Sequence, residues 1–299
     1  MKDFVLYCKS YSRDFLRLKR LLESVTQFNA DHLDFYISTP KSDKGFLEEV
    51  LGQDGYIWVA DEGIVAANPK ADFAQYQAMS GGLSQQIIKS EFWRLGFAEN
   101  YLCLDSDSLF IRKFYKSDFM SGDGTPYTEL HQNKELFQLA ANRGEEKVER
   151  DLRGEAERVK ALFDRQGPNF YCAPSPFIWS AKVWQSLERE YLNPKGISLW
   201  ALISPQLPET LIYGEVILKY RAIPLIAIEP LFRTYHYDWQ YFLMRRLGET
   251  KTKIAQNYLG IIYQSAWESE LTLGQSQKSL LSQILKRLKR FGRYLQSYI

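Results

Sequence analysis

Tyr101-Leu102-Cys103-Leu104-Asp105-Ser106-Asp107-Ser108-Leu109-Phe110-Ile111 is the stretch on which the fold turns. Four apolar or aromatic residues run into Asp-Ser-Asp, and an apolar run resumes at Leu109. That is the pattern of a buried strand delivering two carboxylates where it stops. Side chains alternate across a strand, so Asp105 and Asp107 are expected to point the same way and converge on one cation. Such carboxylates are hard oxygen donors suited to Mg²⁺ or Mn²⁺, which in turn can hold a diphosphate. A polar turn behind a core strand has the same composition, so the surrounding chain decides between the two.

Upstream, residues 4–8 (Phe-Val-Leu-Tyr-Cys) form an apolar run followed by a polar loop, 9–14, in which Ser12 or Asp14 can cap a helix. Phe15, Leu18, Leu22 and Val25 then recur at helical spacing. Residues 33–39 read as a second strand stopped by Pro40, 42–51 as a second helix, and 56–60 as a third strand ending at Asp61-Glu62. Strands alternating with helices predict an α/β layer with a mainly parallel sheet, and ligands of such sheets bind outside the carboxyl ends of the strands. Ser10, Tyr11, Arg13, Ser38, Asp61 and Glu62 are therefore candidate pocket residues. After Gly81-Gly82, residues 83–97 predict a helix that feeds the acid-bearing strand and carries Gln85, Gln86, Lys89 and Arg94. Gln86 and Lys89 share one face of it.

The 299 residues are 45% hydrophobic with a formal charge of +2, enough for a large core and no case for a nucleic-acid partner. The three cysteines, Cys8, Cys103 and Cys172, lie far apart in apolar segments without metal-ligand spacing, which points to free thiols in a reducing compartment. No apolar run approaches the roughly 18 residues of a membrane span, and the first residues lack the pattern of a signal peptide. A cytoplasmic protein is expected.

Downstream, mixed charges crowd residues 142–166 and predict an exposed helical insertion or lid. Pro174 and Pro176 mark 170–179 as a broken or edge strand. Glu215, after Tyr213-Gly214 and before an apolar helical run, is either a first-turn acid or a site carboxylate. His236 stands in the polar-aromatic cluster 232–239, and two carboxylates leave a metal short of protein ligands, for which an imidazole is a reasonable third. From residue 271 onward six cations and no acid accompany a helical apolar period. That basic amphipathic tail either lies on an anionic membrane surface, which is the expectation, or packs on the domain.

These residues together resemble a GT-A fold glycosyltransferase, specifically the bacterial DUF6492 family linked to capsular and cell-surface polysaccharide synthesis. The resemblance rests on Lys9-Ser10-Tyr11 with Asp14, on Gly81-Gly82 with Gln85-Gln86 and Lys89, and on Leu104-Asp105-Ser106-Asp107. It covers roughly residues 1–240 and implies a Rossmann-like sheet with a nucleotide-sugar-binding half over 1–115 and an acceptor-side half over 116–245; the charged insertion and the helical tail expected over 246–299 lie outside it. It also implies transfer from a nucleotide-diphosphate sugar to a glycan or glycolipid acceptor. Asp107 would bind Mn²⁺ or Mg²⁺, and Asp105 the metal or the donor ribose. Lys89 would face the phosphates and Asp61 the base and ribose. Glu215 would take the acceptor proton if the reaction inverts.

Two other readings compete. An acid at a strand end also opens haloacid-dehalogenase-type phosphohydrolases, but no later Gly-Asp-x-x-x-Asp element follows here. A saccharide-binding protein on a degenerate transferase fold is the non-enzymatic alternative.

Overall fold

The computed structural model describes residues 1–171 and 176–264, with the single positions Leu288 and Gly292. Cys172, Pro174 and the basic tail beyond residue 271 lie outside the described residues, apart from those two positions. In chain order the strands are β1 (Lys2–Lys9), β2 (Phe35–Thr39), β3 (Ile57–Ala60), β4 (Ala98–Leu104), β5 (Ser108–Phe110), β6 (Thr128–Glu129), β7 (Phe177–Ser180), β8 (Ala227–Ile228), β9 (Phe232–Tyr235) and β10 (Gly260–Tyr263). The first helices are α1 (Phe15–Phe28), α2 (Lys44–Leu51), α3 (Asp61–Ala66), α4 (Phe73–Ala78) and α5 (Gly81–Glu91). Then come α6 (Lys134–Ala141), α7 (Glu146–Leu162), α8 (Ala181–Leu187), α9 (Asn193–Lys195), α10 (Leu199–Leu202), α11 (Glu209–Tyr220), α12 (Asp238–Arg246) and α13 (Lys251–Ile254).

The central sheet has five strands in the order β3-β2-β1-β4-β7, parallel except for β7. Both faces are covered, which is why β1 and β4 read as unbroken apolar runs. Alternate residues divide between two cores. Val5, Tyr7, Tyr36, Tyr101 and Cys103 pack under α3, α5, α8 and α11 through Ile64, Ile87, Trp184 and Ile212. Phe4, Leu6, Cys8, Phe35, Leu102 and Leu104 pack under α1 and α2 through Phe15, Leu18, Leu22 and Leu47. The molecule is thus an α/β fold with a mixed, mostly parallel sheet flanked by helices, consistent with the Rossmann-like expectation.

Three differences from the sequence reading matter. The run 101–111 is not one strand: β4 stops at Leu104, residues 106–107 turn, and β5 joins a separate sheet of order β5-β10-β9. Helix α11 begins at Glu209, so Glu215 sits mid-helix and Glu209 is the first-turn acid. The stretch between Asp61-Glu62 and Gly81-Gly82, to which the sequence reading gave no element, carries α3 and α4. The charged segment does form a helix, α7, with i,i+4 pairs Lys147–Asp151 and Glu149–Arg153 on its outside. Val148, Ala156 and Val159 face inward.

Candidate functional site

β2 and β3 lie to one side of β1 and β4 to the other. The chain therefore reverses its winding between β1 and β4, and the crevice at their carboxyl ends is where such sheets take ligands. Ser10 and Tyr11 leave β1 there, and Asp105 to Asp107 leave β4. Burial pushes the Cys8 thiol at the end of β1 well up, and both Asp105 and Asp107 push it further, so both carboxylates act on this one point.

The two acids do not share a face, because strand alternation ends with β4 at Leu104. Asp105 turns toward α5, where it pairs with Lys89 and accepts from Gln85 Nε2 at 3.3 Å. Asp107 turns toward α1 and shares the lining of a small cavity with Arg17 and Arg20. Arg17, 4% exposed, also pairs with Asp14. The acid turn is pinned from behind: Phe110 N donates to Ser24 Oγ of α1 at 3.2 Å, and Tyr263 N to Asp107 O at 3.3 Å.

Lys89 is buried, not the solvated lysine its spacing allows. Burial alone would lower its pKa, but Asp105, Cys103 and Glu209 hold the ammonium above its usual range. Glu209 is itself buried at the N-terminus of α11; burial raises its carboxyl, Lys89 opposes that and Asp105 adds to it. Asp105, Lys89 and Glu209 thus form one electrostatic cluster across three elements.

Other candidates fall elsewhere. Asp61 is fully buried, paired with Lys9 at 2.8 Å and approached by Tyr76 Oη at 3.5 Å; burial lifts its carboxyl to about 6. Asp61 fixes Lys9, whose Nζ donates to Ser10 O at 2.5 Å, while its Oδ1 is buried without a hydrogen-bond partner among the described residues. Ser10 Oγ and Gln86 Oε1 are buried without a hydrogen-bond partner among the described residues. Tyr11 remains half-exposed beside Asp14. Glu215 is not at the crevice cluster: Arg165 engages both its oxygens, Nη2 to Oε1 at 2.8 Å. His236 lines a different cavity together with His131. Sequence reasoning chose Gln86 over Gln85 and Glu215 over Glu209, and missed Arg17 and Arg20. A helical period from Phe15 brings Arg17 and Arg20 to one side of α1, a signal present but unspecific.

Among the described residues no group of three or more His, Cys, Asp or Glu side chains could hold a metal ion. Two carboxylates at the crevice still fit a Mg²⁺ or Mn²⁺ that arrives with a diphosphate, since such ions use one or two carboxylates and complete their shell with phosphate oxygens and water.

A profile described as "Family of unknown function (DUF6492)" matches residues 4–272. The chain belongs to DUF6492. This member of DUF6492 is also 29% identical over 119 residues to the kinesin-like protein KIN-4B of Arabidopsis thaliana. That match takes in 38% of the chain and spans 11% of the length of the plant protein. Among the described residues no helix is long and apolar enough to cross a membrane.

Proposed function

We propose that this DUF6492 chain transfers a glycosyl group from a nucleoside-diphosphate sugar to a cell-surface glycan or glycolipid acceptor. The observation that carries this reading is the acid pair at the β1/β4 crevice, flanked by Lys89 on one face of the sheet and by Arg17 and Arg20 on the other. A diphosphate leaving group needs opposite charge close by as its bond to the sugar breaks, and a preorganised cluster supplies it without reorganisation. Asp105 and Asp107 would hold the divalent cation, which would polarise the diphosphate as a Lewis acid. Lys89 then compensates charge at the β-phosphate. Ser10 Oγ and Gln86 Oε1 offer hydrogen bonds to the donor.

In an inverting course the acceptor oxygen bonds to the anomeric carbon as the bond to the diphosphate oxygen breaks. The acceptor proton passes to a carboxylate, for which Glu209 replaces Glu215. It is buried at the start of α11 and belongs to the electrostatic cluster of Lys89 and Asp105.

Phosphorus NMR tests the reaction class. Full-length protein given uridine, guanosine and thymidine diphosphate sugars with Mg²⁺ is expected to release nucleoside diphosphate in at least one case, the sugar passing to an added glycan acceptor or, without one, slowly to water. Release of inorganic phosphate from simple phosphoesters instead would overturn the transferase reading in favour of a phosphohydrolase.

A further inference from the structure

A second cavity, about 450 Å³, opens between the segment 130–136, β9 and the start of α12. That volume falls within the range of small-molecule sites. Neither Asp105, Asp107, Lys89 nor Glu209 lines it, so the crevice chemistry does not account for it.

Two histidines face the cavity. Burial lowers both to about 4, and His131 adds to the lowering of His236, so near neutrality both rings are uncharged. Asn133 N donates to His131 Nδ1 at 3.3 Å, which leaves His131 Nε2 as an N–H donor facing the cavity. His131 Nε2 and Thr234 Oγ1 are buried without a hydrogen-bond partner among the described residues. A neutral imidazole and a hydroxyl left unmatched at a cavity wall cost stability unless water or a ligand engages them.

The charges at this cavity cancel. Lys134 and Arg233 are offset by Glu135 and Glu229. Arg233 is paired on two sides: its Nη2 donates to Glu135 Oε1 at 3.1 Å, and its Nε lies 3.0 Å from Glu249 but makes no hydrogen bond among the described residues. An anion meets the carboxylates of Glu135 and Glu229 in the lining; a divalent metal finds no three-ligand group among the described residues. What remains is a neutral, hydrogen-bonding lining with aromatic walls at Phe170 and Tyr258. A ligand rich in hydroxyls with apolar ring faces matches both features.

We infer that the cavity bounded by His131, Thr234, His236 and Tyr258 is a binding site for an uncharged saccharide. Its identity as a saccharide site stands apart from the transfer reaction; its use as the acceptor's seat rests on that reading.

The chain holds three histidines, and the third, His32, is exposed. Imidazole resonances of full-length protein labelled with ¹⁵N-histidine therefore report the cavity with an internal control. Titration with methyl glycosides of glucose, galactose, mannose and N-acetylglucosamine, and with maltose and lactose, is expected to shift His131 and His236 and leave His32 in place. Thr234→Val should weaken the response several-fold, and Asp107→Ala should leave it unchanged. Failure of every sugar to move either cavity histidine would overturn the proposal. So would shifts produced only by inorganic phosphate or by Zn²⁺. Loss of nucleotide-sugar binding at the crevice with the saccharide response intact would strike the transferase reading alone.

Discussion

Glu209 and Glu215 lie on one helix, both buried, with opposite assignments that substitution separates. Glu209 acts on Lys89 and Asp105, whereas Glu215 is engaged by Arg165. Glu209→Gln keeps shape and hydrogen-bonding capacity but cannot accept a proton, so kcat for transfer is expected to fall about 100-fold or more with little change in the urea midpoint. Glu215→Gln should do the reverse, because it strands a guanidinium with 9% of its side chain exposed. Losing one partner of such a pair costs about 3 kcal/mol, read as a lower urea midpoint. If Glu215→Gln abolished transfer in a stably folded protein while Glu209→Gln did not, the original sequence assignment would stand. Buried Glu129 gives a pH signature. Leu231 N reaches its Oε1 at only 3.4 Å, Oε2 has no hydrogen-bond partner among the described residues, and burial lifts the carboxyl to about 8. Between about 4.5 and about 8 the unfolded chain has released a proton that the folded chain keeps. Glu129 therefore makes stability fall as pH rises, by at most about 1.4 kcal/mol per unit. Glu129→Gln should lose that slope, so urea midpoints of the two proteins converge at low pH and separate toward pH 8; parallel curves would refute the assignment.

At the scale of elements, the turn carrying Asp107 depends on a small sheet far away in sequence. β10 lies between β5 and β9 with Gly260 opposite Phe110 and Phe232. A Cβ on Gly260 would run into the Phe232 ring and stand 2.7 Å from Leu109 O. Phe232 is buried and the carbonyl is backbone, so neither yields easily. Gly260→Ala is expected to cost about 1–3 kcal/mol in chemical denaturation. Because Tyr263 N holds Asp107 O, the same change should weaken nucleotide-sugar binding while the Asp105–Lys89 pair keeps its place. Wild-type stability in Gly260→Ala would contradict this packing. The sequence reading placed β1 to β4 with α1, α2 and α5 closely, because parallel strands buried on both faces leave continuous apolar runs between clear stops such as Pro40, but it did not find α3 and α4. The stop after Leu104 was legible in the acids, but the destination of the apolar run Leu109-Phe110-Ile111 was not. Only pairing with β10, some 150 residues on, separates β5 from the central sheet.

For the whole molecule, winding order proved more informative than the motif. Asp-Ser-Asp taken as a strand end predicts two acids on one face; the structure puts both in the turn beyond the sheet, Asp105 beside Lys89 of α5 and Asp107 in a cavity shared with Arg17 and Arg20 of α1. Lys89 was legible because it shares a helix face with Gln86 just before the acid strand. Arg17, Arg20 and Glu209 were not, because their approach to the acids depends on α1 and α11 packing against the sheet. The place of His236 had no sequence signal either: it follows β9, two strands from β5 in the second sheet, and lines the cavity it shares with His131. Calorimetric titration of the full chain with uridine, guanosine and thymidine diphosphate sugars, with and without Mn²⁺, tests the central claim most directly. The account predicts Mn²⁺-dependent binding of at least one donor, weakened about tenfold or more in Asp107→Ala. Equal binding without the metal, or unchanged binding in Asp107→Ala, would contradict it.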